Sequence, residues 1–298
     1  MKIAVIGSGS WGKTLANLLI ENNPDQNIVL WARRKEVADS INHATNNLRE
    51  AIKSANILVI AIPSQFLREQ AKEINKHIKD NAVVVSATKG LETETFKRMS
   101  EVLKEEIRSP IKLAVLSGPN LSKEIIEKKP ATTVIASSHK EVLKQLKKLF
   151  SNNYFRVYTS HDVAGVEICG YFKNIIAIAV GIADGLALGD NYTGHIISRG
   201  LREMLNLGKH FGVKQETIYG PAGIGDLVTT SISKHSRNRT VGTLIAKGFN
   251  YEDIKKEMGK NIPEGIATTK AVHDYALKRG LTTPITDSIY NVLFTEDK

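Results

Sequence analysis

Residues 2–12 read KIAVIGSGSWG, and residues 13–20 continue KTLANLLI. A short apolar run, three glycines at G-x-G-x-x-G spacing and then apolar residues at helical spacing describe a strand, a tight turn and a helix. In that context the pattern is the dinucleotide-binding arrangement, preferred here over a glycine-rich turn without a ligand. Gly7 permits the turn, Gly9 lets the backbone approach a pyrophosphate, and Gly12 lets helix and strand pack closely. Trp11 opens the helix, whose free N–H groups favour an anion.

Outward from this stretch, the first half alternates strand-like and helix-like segments. NIVLWA, ANILVIAI, AVVVSAT, KLAVLSG and ATTVIAS read as further strands; SQFLREQAKEINKHI, TFKRMSEVLKEEI and EVLKQLKKLF read as helices. Strands that are apolar throughout, separated by helices, belong to a mostly parallel sheet covered on both faces. After about Tyr158 the strand runs stop and helical periodicity takes over. The expected fold class is therefore α/β: an N-terminal Rossmann-like doubly wound sheet, residues 1–160, followed by a C-terminal all-α domain, residues 161–298.

The composition narrows the function classes. The chain has 298 residues, 42% hydrophobic, with a formal net charge of +10 and one cysteine. Its basic residues are dispersed among acids without aromatic interleaving, so they read as solvated helix faces and not as a nucleic-acid surface. The lone Cys169 allows no internal disulfide. The N-terminal apolar run is too short for a signal peptide core, and Lys173 and Asp184 interrupt the best candidate for a membrane span. A cytoplasmic protein without stable membrane association is expected, and no metal site.

The second strand ends beside the place where an adenosine ribose would lie. Arg33 and Arg34 stand there in place of an acid, so NADP is admitted and favoured over strict NAD use. An ordinary surface loop would also accommodate two arginines. Further polar loops follow later strands: Ser86-Ala-Thr-Lys89-Gly and Ser117-Gly118-Pro-Asn120. Downstream, Pro221-Ala-Gly-Ile-Gly-Asp226 reads as a flexible turn leading to a carboxylate, with helix capping as its plain alternative. Ser236-Arg237-Asn238 precedes a helical run, a grouping suited to phosphate: a guanidinium for two oxygens, an amide, and main-chain donors.

One lysine is out of place. GVEICGYFKNIIAIAVGIADG, residues 165–185, is apolar around most of a helix, yet carries Lys173. An unpartnered buried ammonium costs several kcal/mol. Either Lys173 snorkels to water, or its charge serves chemistry. The small residues of this segment mark it as the spine of the second domain, in a purely intrachain core or at a homodimer contact.

Taken together, GSGSWG, AIPS, SATKGLE, LSGPN, the Lys173 helix, AGIGDLVTT, SRNR and PEG resemble the bacterial NAD(P)-dependent glycerol-3-phosphate dehydrogenases, in the same order from about Ile3 to Asp287. The resemblance implies an NAD(P)H-dependent enzyme that interconverts dihydroxyacetone phosphate and sn-glycerol 3-phosphate for phospholipid biosynthesis, as a homodimer. It matches Lys173 to the family's proton donor and acceptor. It puts Lys89, Gly118, Asn120, Asp226, Ser236, Arg237 and Asn238 at the substrate. Ser10, Trp11, Arg33, Lys89, Ser122, Arg237, Ile262 and Glu264 fall near the cofactor. The chain departs from the family in two places: it is abbreviated between INHATNN and LREAIKSANI, and Asn120 replaces a common serine or threonine.

In this reading Lys173 neutralises the oxyanion that grows at C2 as hydride arrives, tuned by burial and by Lys89 and oriented by Asp226, so that these three form the catalytic set. Other two-domain reductases acting on carboxylates, and a nucleotide-binding redox sensor, are the alternatives. SRNR favours phosphate over the first, and the second has no need of Lys173.

Overall fold

The computed structural model describes residues 1–259 and 262–295; Lys260, Asn261 and the last three residues of the expected second domain lie outside the described residues. The chain divides into two compact units, one made of Met1–Lys89 with Arg98–Val163 and the other of Gly90–Lys97 with residues from Ala164 onward.

The first unit is built on an eight-stranded sheet in the order β3-β2-β1-β4-β5-β6-β7-β8. The strands are β1 (Lys2–Ile6), β2 (Asn27–Trp31), β3 (Ala44–Thr45), β4 (Ile57–Ile60), β5 (Val83–Ser86), β6 (Lys112–Ser117), β7 (Ala131–Ala136) and β8 (Phe155–Ser160). Every neighbouring pair is parallel except β6 with β7, where Ser117 faces Val134. β3 and β8 were not among the strands read from the sequence. β3 has only two residues. β8 is an edge strand whose Arg156 and Tyr158 face water, so it lacks the continuous apolar run that marks a central strand.

Helices cover both faces. They are α1 (Ser10–Asn22), α2 (Lys35–Asp39), α3 (Leu48–Ile52), α4 (Leu67–Asn75), α5 (Met99–Glu106), α6 (Ser122–Ile126) and α7 (Lys140–Phe150). Because successive side chains of a strand point to opposite faces, Ile3 and Val5 pack with Leu15, Leu19 and Leu146. Ala4 and Ile6 pack with Leu58, Leu67 and Val102 on the other side. Each fully buried Ile or Leu contributes roughly 1.5–3 kcal/mol. Two covered faces explain why β1 reads as an unbroken apolar run. The order reverses at β1, which lies between β2 and β4; in such sheets the strands' carboxyl ends at this switch point form the ligand crevice.

The second unit contains α8 (Val163–Gly185), α9 (Asp190–Lys209), α10 (Gln215–Tyr219), α11 (Asp226–Ile232), α12 (Arg237–Ala246), α13 (Tyr251–Met258), α14 (Glu264–Arg279) and α15 (Pro284–Phe294). α8 is its spine: Ile168, Phe172, Ile175 and Ile178 pack with Met204, Leu227, Val241 and Val272. Despite Lys173 and Asp184, α8 is long and apolar enough to cross a membrane, with a mean hydropathy of 1.6 over its best window, yet 89% of that window is buried within the protein. Glycines let its backbone touch α12. A Cβ on Gly181 would overlap the Arg239 carbonyl, and one on Gly242 would overlap that of Ile178.

α15, absent from the sequence reading, is started from a distance. Glu203 on α9 accepts hydrogen bonds from Ile285 N (2.8 Å), Thr286 N (3.1 Å) and Thr286 Oγ1 (2.6 Å). Those donors open the helix after Pro284 and would otherwise lack acceptors. Burial pushes the Glu203 carboxyl up, partly offset by these three hydrogen bonds.

Candidate active site

In the first unit the glycine-rich turn has the geometry its spacing implies. Gly7 adopts φ +116°, and a Cβ there would overlap the carbonyl oxygen of Ala61 after β4. Gly12 admits no side chain either, because a Cβ would overlap the Gly7 carbonyl; the turn thus closes on its own helix. Gly9 faces open space, with nothing within 4 Å of a Cβ built on it. As the N-cap of α1 it has no side chain to satisfy the first N–H groups of the helix. Beside it, Trp11 Nε1 is buried without a hydrogen-bond partner. Ser86 Oγ and Ser117 Oγ, at the carboxyl ends of β5 and β6, are equally buried and unpartnered. A cradle open at Gly9, uncapped helix donors and orphaned polar atoms at the strand ends fit a bound dinucleotide.

The loops at this rim are tied together. Thr88 Oγ1 donates to Ile62 O over 2.9 Å, and Lys89 Nζ donates to Gly118 O over 3.2 Å. Asn120 braces its loop against β7: Nδ2 donates to Thr132 O (2.7 Å) and Oδ1 accepts from Thr133 Oγ1 (3.2 Å). A serine or threonine there would offer one hydroxyl in place of these separate donor and acceptor atoms. Ser122 starts α6, while Arg33 and Arg34 are exposed after β2, with the Arg33 guanidinium 6.0 Å from the Phe66 ring.

In the second unit Lys173 is buried, and so is its partner. Lys173 Nζ donates to Asp226 Oδ1 over 2.5 Å and to Thr230 Oγ1 over 2.7 Å; the side chains are 9% and 1% exposed for Lys173 and Asp226. Snorkelling is therefore not what Lys173 does. Asp226 is the first residue of α11 and spends its carboxylate on this ammonium, not on a cap. The segment before it, expected to be a flexible turn, is a packed π-helical turn, Pro221–Gly225, where a Cβ on Gly223 would overlap the Ile218 carbonyl. π-turns recur at functional sites. Thr230 was not singled out as a site residue. Its signal was its place four residues after Asp226, on the same helix face.

One residue further along α8, Asn174 Oδ1 accepts from Asn238 Nδ2 over 2.9 Å, leaving Asn238 Oδ1 buried with no partner. Gly265 keeps this space open, since a Cβ there would overlap Asn238 Oδ1. Ser236 caps α12 by accepting from Arg239 N at 3.3 Å, and Arg237 at the first helical position is exposed. Ile262 and Glu264 are half-buried at the start of α14. Asn174 thus joins the second unit's polar group.

The fold and these sites together define a class, a nicotinamide-dinucleotide-dependent oxidoreductase with a Rossmann-type unit and a helical unit. Comparison with known proteins narrows it. The profile of the NAD-dependent glycerol-3-phosphate dehydrogenase C-terminus matches residues 162–298, and that of the corresponding N-terminus matches residues 2–47 and 43–143. The chain belongs to the NAD-dependent glycerol-3-phosphate dehydrogenase family. The break in the N-terminal match falls where the sequence is abbreviated; here Asn47 accepts from Glu50 N at 3.1 Å and starts α3 directly after β3.

A glycerol-3-phosphate dehydrogenase [NAD(P)+] of Clostridium botulinum (strain Eklund 17B / Type B) is 40% identical over 311 residues, covering 98% of this chain and 93% of the relative. The crystal structure of glycerol-3-phosphate dehydrogenase from Coxiella burnetii superposes with a TM-score of 0.93 at 33% identity, covering 98% of this chain and 94% of that one. A ketopantoate reductase from Ralstonia eutropha, at 15% identity and a TM-score of 0.67 over 98% of this chain and 97% of its own, shares the fold alone.

Proposed function

We propose that this protein catalyses the reversible reduction of dihydroxyacetone phosphate to sn-glycerol 3-phosphate, in the cytoplasm, with NADH or NADPH, and that the product feeds phospholipid synthesis. The observation that carries the reading is the buried Lys173 ammonium, held by Asp226 and Thr230. When bound, the nicotinamide supplies the hydride. Lys173 supplies the other half of the reduction, a proton to the C2 oxygen as negative charge grows there, and takes it back in the reverse direction. A carboxylate at 2.5 Å holds and aims the amine.

Arg237, with Asn238 and Ser236 at the start of α12, is assigned to the phosphate, where guanidinium and main-chain donors complement its oxygens. Lys89, Gly118 and Asn120 are assigned to the same substrate from the first unit. Gly7, Gly9, Ser10, Trp11 and Gly12 would hold the pyrophosphate; Arg33 and Arg34 would lie at the adenosine ribose, and Ser122, Ile262 and Glu264 near the cofactor. Residues 1–160 would thus act as the dinucleotide-binding domain and residues 161–298 as the substrate domain. The test is an absorbance assay at the nicotinamide band with dihydroxyacetone phosphate and each reduced cofactor. Oxidation that depends on the ketone supports the assignment, and none with either cofactor rejects it.

A further inference from the structure

In the first unit, apart from every residue assigned above, a cavity of about 300 Å³ is lined by α1, β2 and the turn from α2 to β3. Its floor is apolar. Ala16 and Ile20 come from α1, Ile28 and Leu30 from one face of β2, and Ile41 from the turn. Its rim is polar. Lys13 and Asn17 share a helix face with Ile20, being seven and three positions before it, while Asn42 and His43 belong to the turn. These four residues are exposed, and among the described residues none of their side chains has a hydrogen bond or ion pair. The turn itself is fixed: Leu30 N donates to His43 O over 2.8 Å and Ala44 N to Ile41 O over 3.2 Å. His43 is held in the left-handed region, φ +65°, which is uncommon outside glycine. The two matched stretches of the N-terminal family profile meet at residues 43–47. The cavity therefore lies beside this chain's own departure from its family.

An apolar floor under a few convergent polar groups is the make-up of a small-molecule site. The lining also limits the chemistry of its occupant. Among the described residues that line the cavity none is acidic, and Lys13 brings its one ammonium. A single cation suits a monoanion, to which the ammonium, the imidazole and both amides can donate. The floor requires a hydrocarbon body, which neither free phosphate nor a sugar supplies. Each methylene buried on it should strengthen binding about fourfold.

We propose that this cavity binds a medium-chain fatty carboxylate, its head at Lys13 and His43 and its chain on Ile20, Ile28, Leu30 and Ile41. The inference does not rest on the reaction assigned above, because its test reads binding without turnover. Isothermal titration of the full chain with octanoate should give saturable one-to-one binding, about fourfold weaker for each methylene removed down to butanoate. Saturating NADH should leave that binding in place, since no residue lining the cavity is assigned to the cofactor. Lys13→Glu should weaken it about tenfold. Asn17→Trp, which fills the cavity from α1, should abolish it. Both positions are exposed, so both variants should keep the native thermal unfolding midpoint. Absence of saturable octanoate binding overturns the proposal, as does binding that NADH displaces, that octylamine equals, or that either substitution leaves unchanged.

Discussion

Lys173 Nζ and Asp226 Oδ1, 53 positions apart in sequence, meet at 2.5 Å inside the second unit. Removing one member of a buried ion pair strands the other charge and costs about 3–5 kcal/mol. Asp226→Ala is therefore expected to lower both unfolding free energy and turnover. Asp226→Asn, which keeps an oxygen acceptor, should recover part of the stability. Denaturant melts alongside steady-state rates check both, and an Asp226→Ala enzyme of native stability would mean the pair is not held as described.

Arg237 is the exposed first residue of α12. Losing one charge-assisted contact costs about 1.5–3 kcal/mol, and 1.4 kcal/mol is tenfold. Arg237→Ala should raise the Michaelis constant for dihydroxyacetone phosphate about tenfold or more, with a smaller change in kcat. An unaltered constant would remove Arg237 from the phosphate.

Arg33 and Arg34 follow β2, exposed and without an acid beside them in sequence. Replacing both by alanine should weaken NADPH more than NADH, because only the former carries the 2′-phosphate. Isothermal titration with the two cofactors separates the outcomes; equal losses would show that neither side chain reads that group.

Glu203 makes stability depend on pH. Burial raises its carboxyl above the ordinary value of 4.5, so the folded protein binds this proton more tightly than the unfolded chain does. The associated stability is present below 4.5 and is lost as pH rises through the window between the ordinary value and the raised one. Glu203→Gln should flatten that slope in urea titrations run across the window. Glu203→Ala, which leaves the start of α15 without its acceptor, should cost about 1–3 kcal/mol. A slope that persists in Glu203→Gln would assign it to another group.

Much of the fold could be read along the chain because its signals are local. The continuous apolar strands, the glycine spacing after β1 and the helical periodicity beyond Tyr158 each record a covered sheet face, a tight turn or an amphipathic helix. What escaped is nonlocal. α15 depends on an acceptor 82 and 83 positions away, and Gly90–Lys97 leaves the first unit to pack with the second, Leu91 lying in the latter's core. The candidate site shows the same division. A lone ammonium in an apolar helix announced Lys173, and a carboxylate before a helix announced Asp226. Their pairing, the packed π-turn that delivers Asp226, and the Asn174–Asn238 bond belong to tertiary structure.

The most direct test of the central claim is the turnover of Lys173→Ala with dihydroxyacetone phosphate and NADH, measured beside its NADH affinity. A fall in kcat of about 10²–10⁴-fold with cofactor binding intact is the predicted result. Turnover near that of the unaltered protein would contradict the assignment of Lys173 as the proton donor.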